Sequence, residues 1–186
     1  MKPIQVLAIS GSLRQKSSNS ALMQAIMERA PENMTFSVYR GVGDLPHFNP
    51  DIDLDEGPVS VQDLRSQLKQ TDAVLICSPE YGNGVPGSLK NALDWIVSSG
   101  EFVNKPTAVI TASPTPMGGD KAHASLLLTL RMINAIIVEE ASIMIPQISL
   151  KLNQQGEIVS EELQQQIDAV LDALLHAGSG GEEGSK

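Results

Sequence analysis

Apolar residues along this chain fall into short dense runs, separated by longer segments in which they recur every three or four positions. Ile4 to Ile9, Ala73 to Cys77 and Thr107 to Ala112 are nearly unbroken apolar runs, the pattern of strands covered on both faces. Met34, Phe36, Val38 and Tyr39 suggest a looser second strand, and Ile136 to Ile145 a fifth. Between these runs the helical period takes over. Ala21, Leu22, Ala25 and Ile26 lead to Pro31, and Leu64 and Leu68 mark a helix that opens at Pro58 and ends near Thr71. Leu89, Ala92, Leu93 and Ile96 line one side of a third helix, and Lys121 to Ile133 reads as a fourth. Ser160 caps the last, with Glu161 and Glu162 complementing its dipole and Leu163, Ile167, Val170, Leu171, Leu174 and Leu175 as its core face.

Strand and helix alternate five times, which predicts a parallel sheet with right-handed crossovers and helices on both faces. Five units in one domain favour a doubly wound α/β sheet of flavodoxin-like order 2-1-3-4-5. The domain spans 1–177; the tail 178–186, GSGGEEGSK, has nothing to bury and is expected to be disordered. Arg40 to Pro58 is rich in Gly, Pro and Asp and exceeds the usual connection length. It is read mainly as a locally mobile connection, with a lid or rim as the other reading. Gln147 to Gly156 is polar and suggests a short excursion or hairpin.

In such sheets ligands sit beyond the carboxyl ends of the strands, where the order switches between the first and third. That places together Ser10 to Asn19, Ser78 to Pro86 and Ser113 to Gly119. The first stretch, SGSLRQKSSNS, follows a strand and opens a helix, whose N-terminal N–H groups and dipole favour an anion. Ser12, Ser17, Ser18 and Ser20 add hydroxyls, Asn19 an amide and Arg14 a planar fork matched to phosphate oxygens. A polar loop with a serine cap is the plainer reading of the same residues. Gly82, Gly84 and Gly87 fit GxGxxG, but Ser78 to Tyr81 intervene after the strand and the motif stands outside the first crossover. The glycines read better as a wall that a flat ring can approach, with Pro79 stiffening it and Tyr81 shielding it.

The formal charge of −9 argues against a general nucleic-acid or anionic-membrane surface. Cys77 is the only cysteine, which excludes an internal disulfide; with neither a signal-like segment nor a membrane-length apolar run, the expected location is cytoplasmic. His47, His123 and His176 are scattered without zinc-like spacing and are read as surface or helix residues, and Cys77 as an inert small hydrophobe. A receiver domain would need acidic residues where Ile9, Ser10, Cys77 and Ser78 stand, and a serine hydrolase would need a GxSxG elbow.

A phosphate socket beside two flat glycine-rich walls suits flavin mononucleotide (FMN). The chain also resembles the NADPH-dependent FMN reductases, a flavodoxin-like family of quinone, chromate and azo reductases. The resemblance rests on GSLRQKSSN at Gly11 to Asn19, SPEY at Ser78 to Tyr81, PGSLKNALDW at Pro86 to Trp95 and the pair Gly118, Gly119, and it spans the chain through Leu175. It implies that Ser12, Arg14, Ser17, Asn19 and Ser20 hold the FMN phosphate. Pro79, Glu80, Tyr81 and the neighbouring backbone of Gly82 and Asn83 would line the ring, with Ser113, Gly118 and Gly119 on its other side. Family members commonly carry asparagine after the tyrosine; here Gly82 stands there and Asn83 follows. The implied activity is ping-pong hydride transfer from NADPH or NADH through flavin N5 to a quinone or other small acceptor. No side chain need act as acid or base, and Glu80 is read as structural rather than as a proton donor. A non-enzymatic flavodoxin-type electron carrier is the alternative. The family also implies a homodimer or homotetramer, although internal packing is the default account of Leu126, Leu127 and Leu128.

Overall fold

The computed structural model describes residues 3–54 and 57–180. Its centre is a parallel sheet built from β1 (Ile4–Ser10), β2 (Met34–Tyr39), β3 (Ala73–Ser78), β4 (Pro106–Ala112) and β5 (Ile136–Ile137), in the order β2-β1-β3-β4-β5. A further short strand, β6 (Ile143–Ile145), also pairs with β4. The helices are α1 (Ser18–Glu28), α2 (Val59–Lys69), α3 (Gly87–Asp94), α4 (Asp120–Met132), the single turn α5 (Ile148–Lys151) and α6 (Glu161–Gly178). The expected flavodoxin-like arrangement is therefore the one observed.

Successive strand residues face opposite layers, so each apolar run supplies two cores. Val6, Ala8, Leu75, Cys77, Ala108 and Ile110 pack against Leu22 and Ile26 of α1 and Leu163, Ile167, Val170 and Leu174 of α6. Leu7, Ile9, Val74, Ile76 and Val109 pack against Val61, Leu64 and Leu68 of α2, Leu89 and Leu93 of α3, and Leu126 and Leu130 of α4. Each fully buried Leu or Ile stabilises the fold by roughly 1.5–3 kcal/mol, and the two layers hold the strand ends in fixed register beneath the loops.

The fifth strand departs from expectation. Glu139 and Glu140 are adjacent, so strand alternation would turn one of them inward; instead the chain leaves the sheet in a 3-10 turn at Glu139–Ala141, exposes both and buries Ala141. Ser142 bridges the gap: its Oγ accepts from the Val109 N–H at 3.2 Å and donates to the Val138 carbonyl at 2.9 Å. Of the consecutive Leu126, Leu127 and Leu128 in α4, Leu126 is fully buried and Leu128 is 67% exposed, so internal packing accounts for only part of that run. The polar excursion contains α5 and an antiparallel bridge between Leu152 and Ile158. α6 continues through Gly178, one residue past the expected domain end, and Ser179 caps it; the rest of the expected tail, 181–186, lies outside the described residues.

Candidate active site at the strand ends

The cradle begins where β1 ends. Gly11 N–H donates to the Cys77 carbonyl at 2.8 Å, which ties the turn to the end of β3. Ser10 Oγ accepts from the Ser12 N–H at 3.2 Å and lies 3.0 Å from Ser20 Oγ, closing the loop on α1. Ser12 Oγ accepts from the Arg14 N–H at 3.3 Å. Ser17 is the N-cap of α1, its Oγ accepting from the Ser20 N–H at 3.4 Å. The N–H groups of Ser18 and Asn19 find no acceptor among the described residues. Arg14 and Lys16 form no ion pair there, and the first acidic residue of the chain is Glu28. First-turn N–H groups, hydroxyls and two cations without an ion pair among the described residues form a donor set that fits a phosphate.

Asn19 differs from its neighbours in being buried. Its Nδ2 donates to the Ala112 carbonyl at 3.0 Å, bracing α1 against the end of β4, while its Oδ1 is buried without a partner.

Tyr81 reaches the cradle directly, its hydroxyl 3.3 Å from Ser12 Oγ. Beyond it the chain makes a two-residue hairpin: Tyr81 and Gly84 exchange both backbone hydrogen bonds at 3.1 Å. Gly82 and Asn83 sit at its tip with φ of 57° and 59°, the paired left-handed geometry of a type I′ turn. An added Cβ at Gly82 would meet nothing within 4 Å. Asparagine, the residue that the resemblance leads one to expect here, would fit this turn, so Gly82 alters the side chain presented there and not the course of the backbone.

Pro79 and Glu80 connect this hairpin to β3. Glu80 Oε2 accepts from the N–H groups of Lys121 and Ala122 at 2.9 and 3.0 Å. It thereby caps α4, whose own N-cap, Gly119, has no side chain and is left-handed at φ 83°. Gly118 and Gly119 bring the third loop against Met144 and Glu80 respectively. Ser113 is 8% exposed; its Oγ accepts from the Thr115 N–H at 3.1 Å. Ser12, Ser17 and Ser20 thus share one loop and helix start, Arg14 joins it through its backbone N–H, Tyr81 touches it, Asn19 braces it against β4, and Glu80 joins the second loop to the third.

Several side chains that shape this region had not stood out along the chain. Asn91 accepts from the Phe48 N–H at 2.8 Å and donates to the Pro46 carbonyl at 2.9 Å, and Trp95 Nε1 donates to the same carbonyl at 2.9 Å. The Phe48 and Trp95 rings meet edge to face at 5.1 Å. Arg65 pairs with Asp53 at 2.8 Å, and the hydrogen bond from Ser98, with Arg65 beside it, holds the Asp53 carboxyl below its ordinary pKa against the opposing effect of burial. The segment read mainly as mobile is therefore a fastened rim over its described residues, and Leu13 of the cradle lies over its Gly43. The signal was in the PGSLKNALDW stretch, whose Asn91 and Trp95 hold this rim.

His123 is a helix residue but not a surface one. It is 8% exposed, with Nδ1 3.3 Å from Thr111 Oγ1, and burial lowers its pKa. Cys77 is fully buried, and burial pushes its thiol up to about 12. Among the described residues there is no cluster of three His, Cys, Asp or Glu able to hold a metal, and no helix long and apolar enough to cross a membrane.

Fold and site together define a flavodoxin-like α/β protein with an anion cradle facing two glycine-bearing loops. Residues 4–149 match the NADPH-dependent FMN reductase family, and the chain belongs to that family of oxidoreductases. A quinone reductase of Escherichia coli strain K12 is 32% identical over 162 residues, covering 85% of this chain and 86% of that protein. An NAD(P)H-dependent FMN reductase of Pseudomonas aeruginosa is also 32% identical, over 92% of this chain and 93% of its own. Among solved structures, a flavoenzyme NAD(P)H:(acceptor) oxidoreductase from Paracoccus denitrificans superposes with a TM-score of 0.84 at 31% identity, covering 96% of this chain and 98% of that one.

Proposed function

We propose that this chain is an FMN-containing quinone reductase driven by NADPH or NADH. The observation that carries the reading is the acid-free cradle at the start of α1, joined to Tyr81 by the 3.3 Å contact with Ser12. Ser12, Ser17, Ser20 and the first-turn N–H groups hold the phosphate, with Arg14 supplying the charge-assisted contact. Asn19 holds α1 in place against β4. The Tyr81–Gly84 hairpin and the Ser113–Gly119 loop bound the ring, and Glu80 keeps the two loops at a fixed separation. FMN, when bound, would supply the redox chemistry, hydride transfer between a nicotinamide and a quinone or similar small acceptor in a ping-pong exchange. The protein's part is to orient the reacting faces and exclude side reactions, so no side-chain acid or base is assigned. The names of the relatives support a quinone acceptor, and an assembly of two or four copies belongs to the same reading.

The test is FMN titration by fluorescence quenching, followed by NADPH and NADH oxidation with a benzoquinone and no added reductase. Saturable FMN binding with quinone-dependent turnover is expected. Arg14→Ala should weaken FMN by about 1.5–3 kcal/mol, the scale of a charge-assisted hydrogen bond. Absence of FMN binding would end the proposal, and binding with a stable one-electron form but no turnover would mark an electron carrier.

A further inference from the structure

A polar cleft of about 540 Å³ lies between α2 and the turn that follows α3, and none of its lining residues belongs to the cradle or to the three loops at the strand ends. Val61, Leu64 and Leu68 turn one stripe of α2 into the core, so Gln62, Arg65 and Lys69, spaced at three and four positions, share another, with Gln70 just beyond them. The facing wall is Ser99 and Glu101, in a turn that Gly100 makes at a left-handed φ of 77°. Phe102, 1% exposed, belongs to the same core layer as Leu64 and Leu68 and draws its neighbour Glu101 below the surface with it.

Two polar atoms of these lining side chains are buried without a hydrogen-bond partner among the described residues, Glu101 Oε1 and Arg65 Nε. The Glu101 side chain is 1% exposed. Ser99 Oγ donates to its Oε2 at 2.5 Å, whereas Oε1 has only Lys69 Nζ at 3.5 Å, the end of a side chain that is 68% exposed. A buried carboxylate is costly when a lone pair is left open, and a distant, solvated ammonium offsets little of that cost. Arg65 is committed through Nη2 to Asp53 at 2.8 Å and to the Trp95 carbonyl at 2.6 Å, which leaves its Nε–H as a donor held in a fixed direction. The amides of Gln62 and Gln70 donate to the Gly57 carbonyl and to Ser66 Oγ, both at 3.0 Å, and their oxygens accept no hydrogen bond among the described residues.

We propose that this cleft binds a free α-amino acid with an uncharged polar side chain. Asp53 balances Arg65 and Glu101 balances Lys69, so the site is neutral as a whole and offers one open acceptor and one open donor. A lone cation would take Glu101 from Lys69 and leave that ammonium unpaired, and a lone anion would meet the Glu101 carboxylate. A zwitterion avoids both costs. Its ammonium donates to Glu101 Oε1, and its carboxylate accepts from Arg65 Nε–H and pairs with Lys69, whose exposed side chain can turn to it. The oxygens of Gln62 and Gln70 accept from a polar side chain such as an amide. The inference stands apart from the FMN reading, with which it shares no residue.

The test is calorimetric titration of the full chain with L-glutamine, with glutaramate, which lacks the ammonium, with 4-aminobutanamide, which lacks the carboxylate, and with L-leucine, whose side chain offers the amides nothing. L-glutamine should saturate with a Kd below about 1 mM, and the other three should bind at least about tenfold more weakly. Lys69→Ala and Glu101→Gln should each weaken L-glutamine by about tenfold or more, with circular dichroism confirming the fold. Lys69 is exposed, so its variant decides the matter even where replacing the buried Glu101 disturbs folding. No saturable binding of L-glutamine up to about 10 mM overturns the proposal and leaves the cleft to solvent. Equal binding of glutaramate or 4-aminobutanamide, L-leucine binding as tightly, or an unchanged Kd in Lys69→Ala also overturns it. Titration of the same samples with FMN reports separately on the flavin reading.

Discussion

Glu80 lies near the middle of the chain's second loop, yet its carboxylate completes the first turn of α4, forty-one residues away. Replacing it with alanine leaves the N–H groups of Lys121 and Ala122 without their acceptor. Both bonds are of ordinary length, and one is exposed and the other part-buried, so water takes over part of what is lost. Loss of an N-terminal cap of this kind costs about 1–2 kcal/mol. For a domain of this size that lowers Tm by roughly 2–8 °C. Glu80→Gln keeps an acceptor oxygen and loses only the attraction of the charge for the helix dipole, about 0.3–1 kcal/mol. Urea titration of the apo-protein separates the two, with unchanged m-values as the check that only stability moved. Because the same contact joins two of the loops assigned to the ring, Glu80→Ala should also weaken FMN while Glu80→Gln largely preserves it. An alanine variant within about 0.3 kcal/mol of wild type would refute the capping argument.

Three further outcomes follow from the same contacts. Asn91→Ala removes the two bonds that Asn91 makes to the rim, at Pro46 and Phe48, and leaves the Trp95 bond to Pro46, so the Phe48 amide should lose its protection from hydrogen exchange and stability should fall by about 1–2 kcal/mol. His123 is buried with its pKa lowered by desolvation, Glu139 opposing weakly; the unfolded chain then binds a proton that the folded one does not, so stability should be full above about pH 6.5 and fall as pH drops below it. His123→Gln should flatten that part of a thermal-melt pH profile, and an identical profile would remove His123 as its source. Cys77, buried with its thiol raised to about 12, should resist iodoacetamide in the folded protein and react once urea unfolds it; native-state labelling would contradict its placement.

Much of this architecture was legible along the chain because its causes are local. The three dense apolar runs and the helical stripes between them encode which residues face each layer, and the looser β2 spans the residues read for it, Met34 to Tyr39. The caps at Ser17 and Ser160 act within three residues of themselves, which is why short sequence patterns reveal them. The interrupted fifth strand was hidden because its apolar count is right and only the pair Glu139–Glu140 breaks the alternation.

What the sequence by itself determined, then, is the alternating α/β order, the doubly wound sheet and a serine-capped, acid-free polar loop at the start of α1, since each follows from spacing over a few residues. Only the tertiary structure decided that Glu80 caps α4, that Asn91 and Trp95 fasten the rim, and that the turn ending at Gly156 closes on Ala21. Those contacts join residues far apart in the chain. Their strength depends on distance and angle between groups that no local pattern brings together, and the packed sheet supplies both.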